Sequence, residues 1–217
     1  MKPTRLLCFA GLLVVLLLEL GQQPAYADSL TFDVTLDTSG LVGNLNGPFS
    51  VAFIFTDGSG LGDLNNTVLL SGFAFGGGSA GAVDSSQSFG GESGSLSTGV
   101  SLTDSGFFNV FVSVFTPGSM LSFTADMTTN VDGGGTPDQF SFSILNGNGL
   151  SINTQDPTGA NSLLTVNIDS ATPTVQTFAS DLTPAPVVAP VPEPATLLLL
   201  GTGLIGVAFQ FRRRKSS

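Results

Sequence analysis

The sequence predicts an all-β protein: a single antiparallel β-sandwich of jelly-roll type, then a proline-rich stalk and one C-terminal transmembrane helix. Three observations predict it. Apolar and polar residues alternate with a period of two through most of segment 28–181. Clusters of Gly, Pro, Asn and Asp separate the alternating runs. No part of that segment carries a helical period.

The chain opens on a secretory signal over residues 1–27. Lys2 and Arg5 precede the apolar run LLCFAGLLVVLLL, and Ala25 and Ala27 supply the small residues of an A-x-A cleavage site, so cleavage is expected after Ala27. The apolar run falls short of the roughly 20 residues that a spanning helix prefers. The only cysteine, Cys8, lies inside this signal, so the exported chain has no disulfide to draw on.

The strands follow. LTFDVTL places Leu30, Phe32, Val34 and Leu36 on one face and Thr31, Asp33 and Thr35 on the other. FSVAFIF repeats the pattern with Phe49, Val51, Phe53 and Phe55. MLSFTADM does so with Leu121, Phe123, Ala125 and Met127, and QFSFSIL with Phe140, Phe142 and Ile144. FFNVFVSVF is apolar at nearly every position, as expected of a strand covered on both faces. VLLSGFAF, GVSL, LLTVNI and TVQTF complete the set. Phenylalanines supply most of the core bulk, and a domain of about 150 residues buries enough surface to fold without staples.

Two stretches depart from alternation. The Gly- and Ser-rich segment from Gly76 to Gly99 reads as a long surface loop with at most one short strand near Phe89. Residues 182–191 read as a linker: prolines 184, 186, 190, 192 and 194 favour polyproline II geometry, and Pro184 to Pro194 would reach about 34 Å as a semi-rigid spacer.

Charge narrows the function. Fourteen of the sixteen acidic residues lie between Asp28 and Val191, where there is no Lys, Arg or His. Such a body repels nucleic acid and anionic membranes. With no histidine in the chain, and Cys, Lys and Arg confined to its ends, Ser-His-Asp triads, Cys-His pairs, Schiff-base lysines and His/Cys zinc sites are excluded from the body. A glycosidase would need two carboxylates held across a cleft, and the only Glu of the body, Glu92, falls in the Gly/Ser segment, so no enzyme is expected. No cofactor is expected either, apart from Ca²⁺, for which Asp132 and Asp138 around GGGTP and Asp156 in DPTGAN are the candidate oxygen ligands. Asp in such turns more often bonds its own backbone. A sugar-stacking platform lacks Trp and Tyr, which leaves a hydrogen-bonding groove of Asn, Asp, Ser and Thr.

The C-terminus concerns sorting. The triplet Pro192, Glu193, Pro194 precedes the uncharged apolar run 195–211, and Arg212, Arg213, Arg214 and Lys215 follow at once. Seventeen residues is the short end of a spanning helix. Basic residues stay in the cytoplasm, so the domain is expected outside. Gly201, Gly203 and Gly206 match a dinucleotide-binding spacing, but they lie within the apolar run rather than after a strand, where small residues serve helix packing instead.

This order, from VPEP through the Gly-containing helix to RRRK, about Val191 to Lys215, resembles the PEP-CTERM sorting region of exported bacterial proteins and marks 192–217 as that region here. The resemblance implies an exosortase-type membrane protease as partner and cleavage near the triplet. It also implies a single-pass precursor in the inner membrane and delivery to the cell surface or exopolysaccharide matrix of a Gram-negative-type bacterium. The expected body is a non-enzymatic surface or matrix protein, with a carbohydrate- or Ca²⁺-dependent adhesin as the alternative.

Overall fold

The structure is a computed structural model that describes residues 29–58, 60, 62–131, 136–170, 172–191 and 202. The segment 1–27 read as a secretory signal, the triplet 192–194, the basic tail and, apart from Thr202, the apolar run 195–211 lie outside these residues. Among the described residues no helix is long and apolar enough to cross a membrane.

The described chain forms twelve strands: β1 (Ser29–Asp37), β2 (Phe49–Thr56), β3 (Thr67–Ala74), β4 (Ser79–Val83), β5 (Gly91–Ser95), β6 (Gly99–Thr103), β7 (Phe108–Thr116), β8 (Met120–Thr128), β9 (Asp138–Leu145), β10 (Leu164–Ile168), β11 (Thr174–Thr177) and β12 (Val187–Pro190). They make two six-stranded sheets. The first has the order β12-β1-β8-β3-β6-β5, the second β11-β10-β9-β2-β7-β4. Every pairing is antiparallel. The all-β sandwich is therefore as the alternation predicts.

The inward residues are those the period-two reading selects. Phe32, Val34 and Leu36 from β1 and Leu121, Phe123, Ala125 and Met127 from β8 face Phe49, Val51, Phe53 and Phe55 from β2 and Phe140, Phe142 and Ile144 from β9, all buried. Phe53 sits at the centre. Its ring lies 5.3 Å from those of Phe123 and Phe142 and within 6.4 Å of Phe73, Phe111 and Phe140, the offset and edge-on spacings that aromatic quadrupoles favour. In β3 the register slips between Ser71 and Ala74, where Gly72 has φ +65°. This bulge reverses the inward–outward phase and turns Phe73 into the core.

Three expectations are corrected. First, the Gly/Ser segment is not one long loop but holds β4, β5 and a bridge from Phe89 to Val110. Here glycine permits pairing that side chains would block: Gly94 has φ +98°, and a Cβ there would collide with the Gly99 carbonyl on β6. Second, the residues read as a stalk are largely docked. β12 runs antiparallel to β1, and the Val191 amide donates to the Thr31 carbonyl at 3.0 Å. Polyproline II and β backbones are close neighbours in dihedral space, so the choice falls to the unpaired edge of β1, where an outermost strand tolerates proline. Third, β7 is covered on its outer face only in part: Val112 is buried there, while Phe108 and Val114 are 49 % and 37 % exposed, and the inner face carries the buried polar residues Asn109 and Ser113 among its apolar ones.

Candidate functional site

Outward positions of the first sheet form ordered rows. Register places Thr31, Asp126, Leu69, Ser101 and Ser93 side by side across β1, β8, β3, β6 and β5. Asp33, Thr124 and Ser71 make the neighbouring row across β1, β8 and β3. Hydroxyls and carboxylates engage in pairs: Thr124 Oγ1 donates to Asp33 Oδ1 at 2.6 Å, and Thr31 Oγ1 donates to Asp126 Oδ1 at 3.1 Å. Two shallow depressions open on this face. One, of about 240 Å³, is lined by Asp33, Thr35, Gly72, Ser122 and Thr124. The other, of about 270 Å³, is lined by Leu69, Ser71, Ser93, Gly94 and Ser101. Ser71 lines the second and its neighbour Gly72, at the bulge of β3, lines the first. The sequence places Thr31, Asp33 and Thr35 opposite the core, but it does not show which strands set residues beside them.

A second polar cluster gathers where the loops after β2, β6 and β8 converge. Asp57, Asp104, Asp138 and Asn66 are all buried there. Asp57 accepts the Gly60 amide at 2.8 Å and the Gly62 amide at 2.6 Å. Asp138 accepts the Gly58 amide at 2.8 Å and the Asn66 side-chain amide at 2.9 Å. Asn66 in turn donates its backbone N–H to Asp104 Oδ2 at 2.9 Å. The other oxygen, Asp104 Oδ1, is buried without a hydrogen-bond partner. Desolvation pushes the Asp104 pKa up to about 6, the Asn66 amide opposes that rise, and the Asp138 and Asp63 carboxylates add to it. The cluster ties three loops together with charge-assisted bonds to backbone amides, and Asp104 is its strained member.

The two candidate Ca²⁺ ligands among the described residues, Asp138 and Asp156, are engaged by different sets of donors. Asp138 is engaged as above on β9. Asp156 accepts the Thr158 amide at 2.9 Å, the Thr158 hydroxyl at 2.7 Å and the Ser162 amide at 3.1 Å, the turn-stabilising role expected of Asp before Pro. Burial works to raise its pKa, and these Thr158 and Ser162 bonds more than offset it, leaving the group below the usual carboxylate value. Asp132 lies outside the described residues. Among the described residues no group of three or more Asp, Glu, His or Cys is placed to hold a metal ion. Glu92 stands on β5 rather than in a loop, opposite Leu102 of β6.

The sorting residues Pro192, Glu193, Pro194, Arg212, Arg213, Arg214 and Lys215, like Ala25 and Ala27, lie outside the described residues. Their point of attachment is described. The last strand ends at Pro190, so Val191 alone separates the sheet edge from the triplet.

Residues 190–215 match the family model of the PEP-CTERM protein-sorting motif. No curated protein and no solved structure shows a significant match to the chain. The motif covers the C-terminal segment only, so it identifies the sorting region and leaves the sandwich to be read from its own geometry.

Proposed function

We propose that this chain is an exported protein, processed by an exosortase, whose sandwich is a non-enzymatic module of the cell surface or exopolysaccharide matrix. The observation that carries this reading is the PEP-CTERM motif, which begins on the last residue of β12. Cleavage near the triplet would release the sandwich whole, with its edge strand in place. The non-enzymatic part rests on composition, because segment 28–191 has no His, Cys, Lys or Arg and one Glu.

The test replaces Pro192, Glu193 and Pro194 with Ala. Export and membrane insertion should continue, while full-length protein accumulates in the membrane fraction and the C-terminally shortened form disappears from surface and medium. Removal of Arg212–Lys215 should instead weaken retention of the tail and let uncleaved protein escape. A triple-alanine chain shortened and released as efficiently as wild type overturns the sorting reading and leaves a plain anchor. A second reading, a carbohydrate-binding adhesin, is favoured by the hydroxyl and carboxylate rows of the first sheet.

A further inference from the structure

We propose that the outer face of the first sheet is a binding surface for a polysaccharide strand bearing free ammonium groups, laid across β1, β8, β3, β6 and β5. The inference deepens the adhesin reading above and names its ligand class.

The shape comes first. The two depressions, of about 240 and 270 Å³, lie on either side of the bulge on β3, one lined by Gly72 and the other by Ser71. Together they follow a line from β1 to β5, four inter-strand steps of about 4.8 Å, or roughly 19 Å. That is room for a short oligosaccharide lying perpendicular to the strands.

The chemistry of the rows selects the occupant: Asp33 lines the first depression, and Asp126 stands in the neighbouring row beside Leu69, which lines the second. Asp33 and Asp126 each receive one threonine hydroxyl on Oδ1, which orients the carboxylate and leaves Oδ2 to accept from a ligand. Both are exposed, and they stand in adjacent rows. Ser71, Ser93 and Ser101 continue the rows with groups that donate as well as accept. No aromatic ring stands in these rows, so a neutral sugar would have hydrogen bonds alone and no stacking face. An ammonium group adds a charge-assisted bond at each carboxylate. Anionic glycans and a second copy of this same face are both opposed by like charge, because segment 28–191 has no cation to offer.

The experiment uses the full-length chain in a neutral detergent, so its outcome does not depend on C-terminal processing. Calorimetry would measure binding of a β-1,4-linked glucosamine hexasaccharide, its N-acetylated counterpart and an alginate oligosaccharide. Three chains are compared: wild type, Asp33→Asn with Asp126→Asn, and Asp169→Asn with Asp181→Asn. Both variants change net charge by the same amount, and Asn still accepts the threonine hydroxyls, which melting temperatures verify. Wild type should bind the glucosamine oligomer, at least tenfold more tightly than the acetylated one, and should not bind alginate. The Asp33/Asp126 variant should lose tenfold or more, and the Asp169/Asp181 variant less than twofold. Equal losses in the two variants would mean attraction by bulk charge, and equal binding of the acetylated oligomer would mean that ammonium groups are not read. Either result, or no binding at all, overturns the proposal. The sorting reading would stand untouched.

Discussion

The outer faces of the two sheets are built from the same alternating grammar and end up covered to different extents. On the first sheet, Asp33, Thr35, Leu69, Ser71, Ser93 and Asp126 are exposed. On the second, Ala52, Val112, Ser141, Ser143, Leu145 and Thr165 are buried, and Phe89, Val110, Ile54, Ser141 and Thr165 form one cross-strand row from partly apolar to polar. The difference lies in the connections. The segment after β4 binds the edge of β7, where the Ser88 hydroxyl accepts the Val112 amide at 2.9 Å, and Gln87 reaches Gly149 beyond β9. The long β9–β10 connection brings the Asn161 carbonyl onto Ser143 Oγ at 3.3 Å. An outward position is thus not an exposed one. The chain spends its long connections on the second sheet and leaves the first exposed.

The largest effect should come from removing what both faces share. Phe53→Ala opens a cavity at the centre of the ring cluster and should cost about 3–5 kcal/mol in chemical denaturation. Loss of one cooperative transition should remove both faces together, and two separated transitions would break the picture of one core.

The comparison itself is tested by placing a carboxylate on each face. Val112→Asp buries a polar group among Ala52, Leu145 and Val110, and should cost about 2–3 kcal/mol. Leu69→Asp adds the same group where the side chain is 48 % exposed, and should change stability by under about 1 kcal/mol. Similar losses at the two positions would show that the faces are equivalent after all.

Asp104, where the loops of both sheets meet, should give a smaller effect of opposite sign. Its folded pKa of about 6 lies above the unfolded value near 3.9, so the folded state holds the proton more tightly. Its contribution is therefore complete below about pH 4 and is lost as pH rises through about 6. Asp104→Asn keeps an acceptor for the Asn66 amide and removes the buried charge. It should raise stability at pH 7 by about 1–2 kcal/mol, with the advantage over wild type vanishing near pH 4. Thermal melts of the two chains at pH 4, 5, 6 and 7.5 check both sign and window. The least effect is expected of Thr124→Ala, which loses one exposed hydrogen bond to Asp33 and should stay within about 0.5 kcal/mol.

Much of this was legible in the chain. Segments such as LTFDVTL and MLSFTADM announce their inward residues because a half-buried strand repeats every two positions, and Phe32, Phe123 and their neighbours are buried as that period requires. The sorting motif was equally legible, because charge, proline and apolar length are properties of one contiguous stretch rather than of packing. The strands β4 and β5 were not. Glycine and serine carry no hydrophobic period, and their pairing depends on how closely another backbone can approach. Nor was β12, since its proline-rich backbone suits a spacer and an edge strand alike until the free edge of β1 is in place.

By itself, then, the sequence determined the fold class, the core-facing residues, the exclusion of histidine- and cysteine-based chemistry from the body, and the sorting signal at its end. Each of these depends on composition or local period. Tertiary structure decided which outward face stays open, how Thr31, Asp126, Leu69, Ser101 and Ser93 line up, and that Asp104 is held beside Asp138 through Asn66. Those facts depend on pairing between strands as far apart as β1 and β8. Local period sets which way a side chain points, and only register and loop path set what stands beside it and what covers it.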